Sequence, residues 1–134
     1  VNAVVQVVAL PQPAKVWSIN EISGVHPMSV ARIRSPWRDA GFWHAGGLKW
    51  VLGRSGISTP LERRAILQFD FDMKSYRRRD GHNYSSTVCK WFIDGLVMAG
   101  IFVDDSTDWI ELRDPTFTVT RCRQMNMRLR LELT

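Results

Sequence analysis

From Val4 to Leu10 the chain is almost continuously apolar and rich in valine, and Pro11 and Pro13 close the run, so a buried first strand is predicted there. Between Ala65 and Met73 the pattern changes to strict alternation. Phe69, Phe71 and Met73 fall on one side and Gln68, Asp70 and Asp72 on the other, as in a half-buried strand whose acids face water. Thr87 to Ala99 has a helical period instead, with Val88, Trp91, Phe92, Leu96 and Ala99 forming one stripe and Gly100 placed for a left-handed cap. At the end of the chain Met127, Leu129, Leu131 and Leu133 alternate with Arg128, Arg130, Glu132 and Thr134, the clearest strand in the sequence.

Weaker signals fill the gaps. Ser35-Pro36 reads as a helix start, with serine as N-cap and proline in the first turn. Trp37, Ala40, Trp43 and Ala45 follow as its core stripe, and Gly46-Gly47 ends it. Residues 28–34 are left open between loop and an earlier helical turn. Leu48 to Pro60 reads as irregular, and Pro11 to Val25 as a loop with a turn at Ser18-Ile19-Asn20. Trp109–Leu112 and Thr116–Thr120 are short strands, with Asp114-Pro115 turning between them. Strand, helix, strand, helix and two or three closing strands make an α+β chain. Residues 1–134 are expected as a single small domain, with one mixed sheet of four or five strands and two helices packed on one face. The strand order stays open.

With 134 residues there is material for one core, and a 45% hydrophobic fraction with six tryptophans argues for a folded globule. Charge adds something the pattern does not. Fourteen arginines against four lysines and a net charge of +5 suit a phosphate-bearing partner, because the guanidinium forks onto two oxygens at once. Cys89 and Cys122 have no metal-type spacing and are expected as free thiols in a reduced, cytoplasmic chain. No apolar run approaches the roughly 18 residues of a membrane span, and the opening stretch lacks the basic flank of a signal peptide. No membrane role is expected.

Candidate chemistry concentrates between Arg77 and Asp105. Arg77, Arg78 and Arg79, with Lys74 just before them, form a cationic run. Asp80, His82 and Asn83 follow at once, Lys90 lies on the predicted helix, and Asp104-Asp105 lies just past Gly100. Arginines can hold phosphate, while Asp80, His82, Asp104 and Asp105 are of the types that ligate a divalent ion, Mg²⁺ by carboxylate and Mn²⁺ by imidazole as well. Each residue also has an ordinary reading. The two late acids suit a turn after a helix, the arginines a solvated loop, and Lys90 an exposed pair with Asp94. The functional reading of Lys90 is a cation on the scissile phosphate in the transition state. Asp70 and Asp72 are rival ligands, better read as the wet side of their strand. Trp17, Trp50 and Trp109 are candidates for stacking bases. His26 and His44 lack partners at metal spacing, and nothing resembles a Ser-His-Asp set, a P-loop or a zinc finger.

Taken in order, these residues resemble the RusA family of Holliday-junction resolvases. Arg77-Arg78-Arg79-Asp80, Asn83, Asp94-Gly95-Leu96, Ala99-Gly100 and Asp104-Asp105 follow the family's arginine run, Asp-x-Asp-Asn, Asp-Ala-Leu, Ala-Gly and Asp-Asp. Leu10-Pro11 and Ser18-Ile19-Asn20 are similar to the family's start. Two departures stand out. His82 replaces a second metal-binding aspartate, and the interval from Asn83 to Asp94 is about four residues longer, roughly one helical turn. The resemblance implies a homodimeric, bacterial or phage-encoded endonuclease that cuts four-way or other branched DNA with Mg²⁺ or Mn²⁺. Asp80, Asp105 and Lys90 would be catalytic, and Asp80, His82, Asp104 and Asp105 would be the ligands. Arg77, Arg78, Arg79, Lys74 and Asn83 would hold DNA. A non-catalytic, structure-selective DNA-binding protein on the same fold is the alternative.

Overall fold

The closing strand becomes the centre of the sheet, because its neighbours on both sides are antiparallel to it. The structure, a computed structural model, describes residues 4–134. Strand β1 (Val4–Pro11) pairs with β5 (Asn126–Leu133), which pairs in turn with β2 (Ala65–Met73). On the far side of β2 lie β3 (Ile110–Leu112) and β4 (Thr116–Val119), both parallel to it. The sheet is therefore mixed and five-stranded. Asp114-Pro115 does not reverse the chain as expected. It interrupts one edge ribbon that continues in the same direction, since Pro115 has no N–H for a sheet ladder.

Parallel pairing of β2 with β3 demands a crossover, and the best helical stripe of the sequence supplies it. After a single turn α3 (His82–Tyr84), a π-helical turn (Ser85–Cys89) leads into α4 (Lys90–Met98). Val88, Trp91, Phe92 and Leu96 are buried as the period predicts, and Gly100 takes a positive φ of 83° at the end of the helix. Leu129, Leu131, Phe69 and Phe71 face this helix. Phe92 meets Phe69 edge-on at 5.7 Å, and Trp37 meets Phe71 at 5.7 Å.

The first long helix is more extensive than its local signals suggest. α2 runs from Pro27 to Arg54, 28 residues, capped by His26, whose Nδ1 accepts from the Met28 N–H. Pro36 is inside it, leaving only the Arg32 carbonyl without its usual donor, and the Ser35 hydroxyl donates to the Ala31 carbonyl rather than capping. Gly46-Gly47 does not stop the helix, because Leu48 and Leu52 carry the buried stripe onward. That stripe is Trp37, Gly41, Ala45, Leu48 and Leu52. Trp43 is off it and 78% exposed, which corrects its assignment to the core. The turn at Ser18 is also a helix, the single turn α1 (Ile19–Ile22). It is closed by a capping box in which Glu21 N–H donates to Ser18 Oγ and Ser18 N–H to Glu21 Oε1. Strand β1 is an edge strand, not a buried one: Val8 and Leu10 pack on the core while Val5 and Val7 are exposed.

Helices α2 and α4 lie on one face of the sheet and touch each other through glycine. A Cβ on Gly41 would run into the Phe92 carbonyl oxygen, and one on Gly95 would strike the Arg38 carbonyl and lie 2.7 Å from the Phe42 nitrogen. Backbone therefore meets backbone at this crossing. Gly95→Ala is expected to lower stability by at least about 2 kcal/mol through overpacking. Gly53→Ala, whose Cβ would enter open space on the same helix as Gly41, should raise it by up to about 1 kcal/mol. Urea unfolding of the two variants beside the parent checks both signs.

Candidate nucleic-acid interface

The loop after β2 carries the cationic run, and its three arginines are not equivalent. Arg79 is turned inward along its own loop. It donates to the Ser75 and Arg77 carbonyls at 3.0 and 2.9 Å and to Ser75 Oγ at 2.8 Å, and its guanidinium lies 5.9 Å from the Phe117 ring. Arg77, Arg78 and Lys74 are exposed. Lys74 and Arg77 border a cavity of about 310 Å³ whose wall also holds Gln12, Lys15 and Asp72. Lys15 is paired with Glu21 at 2.8 Å and sits over the Trp17 ring at 4.0 Å. Arg79 thus shapes the loop, while Lys74, Arg77 and Arg78 present their charge to solvent.

At the entry to the crossover, Asp80 caps the chain locally: its Oδ1 accepts from the His82 N–H at 3.1 Å and its carbonyl from the Asn83 N–H at 3.0 Å. Gly81 packs against the break between β3 and β4, where a Cβ would lie 2.6 Å from the Pro115 carbonyl. That approach brings the exposed His82 ring within 3.8 Å of Asp114, and Ser85 Oγ donates to the same carboxylate at 3.1 Å. Asp114 had looked like a turn residue, and the sequence offered no signal for its company. Asn83 is half-buried, and the Tyr84 ring packs under it against Phe117 at 5.0 Å. Thr87 anchors the π-turn, its buried hydroxyl donating to the Trp17 carbonyl at 2.6 Å.

Further along the helix Lys90 gathers two acids. Its ammonium donates to Asp94 at 2.9 Å and bonds Asp105, which the loop after α4 brings back alongside. Partial burial alone would lower the Lys90 pKa, but the hydrogen bonds to Asp105 and Asp94 outweigh it and raise the value. The same bond holds the Asp105 carboxyl below its usual range. Asp104 behaves as a turn acid, its Oδ1 accepting from the Ser106 N–H at 2.8 Å.

The expected ligands therefore fall into two places. Asp80 and His82 precede the crossover helix, whereas Asp104 and Asp105 lie on the loop that leads back to the start of β2. From His82 to Lys90 the helix rises about 12 Å. Among the described residues no three His, Cys, Asp or Glu side chains are grouped so as to hold a metal ion. Asp105 is paired with Lys90, while Asp80, His82 and Asp104 are exposed.

Asp70 and Asp72 lie on the face of β2 away from the core stripe, as expected, but both are paired there. Arg128 of β5 bridges them, with a terminal nitrogen 2.6 Å from Asp70 and 2.5 Å from Asp72 and its Nε donating to Asp70 at 2.7 Å. Thr116 and Thr118 donate to Asp70, and the Asn126 N–H donates to Asp72, which is only 7% exposed. Burial would raise the Asp70 pKa, but the bonds from Thr116, Thr118 and Arg128 outweigh it and lower the value. Arg128 in turn is raised, first by its bond to Asp72. The cluster ties β2, β4 and β5 together and leaves neither acid free as a ligand. Of the tryptophans proposed to stack bases, Trp17 and Trp109 pack on the core, and Trp50 is exposed on α2 beneath Arg54. Cys89 and Cys122 are free, as expected; burial pushes the Cys89 thiol well up and leaves it unreactive. No helix among the described residues is long and apolar enough to cross a membrane.

Compared with known proteins, the chain matches no family model and no curated protein. The geometry thus stands on its own terms: a basic loop beside a cavity, and one lysine between two carboxylates.

The Asp70 carboxyl has a testable pH signature. Its folded pKa is depressed below the ordinary 3.8, so its contribution is complete above that value and is lost as pH falls through the folded value. Asp70→Asn should be less stable than the parent at neutral pH and converge with it as pH drops below 3.8. Urea midpoints measured across that range would show either convergence or, against the assignment, a constant gap.

Proposed function

We propose that this chain is a RusA-like endonuclease acting on four-way or other branched DNA, with Mg²⁺ or Mn²⁺ as its cofactor. The observation that carries the reading is the meeting of Lys90 with Asp94 and Asp105. Asp94 and Asp105 are among the residues on which the resemblance rests, and Lys90 is the catalytic lysine it implies; the three are fifteen positions apart at their widest and meet through Lys90. Lys90 is then a charged group beside carboxylates, suited to stabilising a pentacovalent phosphate. Lys74, Arg77 and Arg78 would supply the sequence-independent grip on the backbone, and junction selectivity would come from branch shape rather than base edges, as the resemblance implies.

The pairing of Asp105 with Lys90 favours a second reading, a branched-DNA-binding protein on the same fold that does not cut. A cleavage assay separates the two. A synthetic four-way junction and a linear duplex of the same sequence are incubated with Mg²⁺, Mn²⁺ or chelator. Paired nicks on the junction alone, lost in chelator and in Asp80→Asn, are the expected result. Tight junction binding without cleavage under either ion would establish the binding protein.

The arginines make a separate prediction. Arg77→Ala with Arg78→Ala should weaken DNA binding and reduce the slope of log affinity against log salt by about 2, one for each phosphate that is no longer neutralised. Arg79→Ala should instead loosen the loop, with a smaller change in slope. Binding titrations over a range of salt read both, and an unchanged slope in the double variant returns that pair to solvent.

A further inference from the structure

The cavity beside the basic loop has acids that are paired and a donor that is not. Its wall holds four cations, Lys15, Lys74, Arg77 and Arg79, against two acids, Glu21 and Asp72. Glu21 is held by Lys15 and the Ser18 N–H, and Asp72 by Arg128 and the Asn126 N–H. Arg79 directs its terminal nitrogens to Ser75 and the Arg77 carbonyl, but its Nε is buried and has no hydrogen-bond partner among the described residues. A buried donor in that condition is costly, and a ligand acceptor would complete it. Val16, Met73 and Met125 form the apolar part of the wall. At about 310 Å³ the cavity is at the small end of ligand sites. Its excess of positive charge calls for an anion, and methionine sulfurs make favourable contacts with aromatic rings. A single nucleotide offers both an anion and a ring.

A second basic segment borders the same cavity. The Thr120 N–H donates to the Met73 carbonyl at 2.9 Å and the Gln12 N–H to the Met125 carbonyl at 3.0 Å, which ties down both ends of the loop between β4 and β5. Arg121 and Arg123 on that loop are exposed. Cations on two loops around one cavity suit a continuous phosphate chain, whereas a free nucleotide would leave the outer ones unused.

We propose that this cavity receives one nucleotide swung out of a DNA strand. Its base lies against Val16, Met73 and Met125, its phosphate meets Lys74, Arg77 and Arg79 Nε, and the neighbouring phosphates meet Arg121 and Arg123. Extrusion costs least where pairing is already broken, at a branch point or a bulge. The cavity thereby selects interrupted DNA by accepting its loosest base, without reading base edges. The inference rests on the DNA-binding part of the reading above and requires neither a metal nor a cut.

The test is binding measured in chelator, so that cleavage plays no part. The probes are a duplex with one bulged adenosine, the same duplex with an abasic residue in the bulge, and the fully paired duplex. The two bulges share a shape and differ only in the base. The adenosine bulge should bind about tenfold tighter than the abasic one, the lower end of what one base contact contributes. Met125→Trp, which fills the cavity, should bring that ratio close to one, while Arg121→Ala with Arg123→Ala should weaken both complexes in step. The comparison of bulges on the parent protein needs no variant, so it decides the matter even if Met125→Trp fails to fold. Equal affinity for the two bulges overturns the proposal and leaves the nuclease reading intact. Absence of any DNA binding removes both, and amide NMR shifts at Lys74, Arg77 and Met125 on titrating dAMP into the millimolar range would then assign the cavity to free nucleotides instead.

Discussion

The backbone contact between Gly41 and Gly95 is the constraint on which the rest depends. Two helices carrying ordinary side chains pack with axes about 8–10 Å apart. With Cβ atoms absent at the crossing, α2 and α4 approach until the Gly95 position faces the Arg38 carbonyl and the Gly41 position the Phe92 carbonyl. Both helices then fit against the same face of a sheet narrow enough for this short chain. Phe92 reaches Phe69, and Trp37 reaches Phe71. The glycine in Asp94-Gly95-Leu96, where the resembling family has alanine, thus has a mechanical reason in this chain.

Seating α4 also decides where charge goes. Its register leaves Lys90 and Asp94 on the half-exposed side, and the return loop runs back along the helix so that Asp105 can join them. Asp80 and His82 precede the same helix, where Gly81 against Pro115 fixes the approach of His82 to Asp114. What stands as one cluster along the sequence, the fold divides into a lysine-centred group and a histidine–aspartate pair.

How much was legible follows from which forces act locally. Strand β5 and helix α4 were readable because each has one buried face and an unbroken period; Met127, Leu129, Leu131 and Leu133 are all buried as the alternation demands. Helix α2 was half-read because Trp37, Trp43 and Gly46-Gly47 are strong local symbols that point to the wrong face and the wrong end. Its true stripe uses Gly41 and Ala45, small residues whose value lies in what approaches them. The capping box at Ser18 and Glu21 was present in the sequence and read only as a turn. Asp70 and Asp72 looked solvated because alternation places them opposite the core, and nothing local reveals that Arg128, more than fifty residues away, will cover them. At the candidate site, Lys90 with Asp94 was visible as a helical pair, whereas the arrivals of Asp105 and Asp114 depend on the crossover and the broken edge ribbon.

The cations of the loop after β2 differ from those that the fold has paired. Cations with partners within the chain include Arg128 with Asp70 and Asp72, Lys15 with Glu21, Lys90 with Asp94 and Asp105, and Arg79 with its own loop. Lys74, Arg77 and Arg78 stand exposed together on one short segment beside a cavity. Exposed charges closer than the Debye length, about 8 Å at physiological salt, reinforce one another at a phosphate, while charges already paired contribute little. The net charge of +5 therefore understates the local field at that loop.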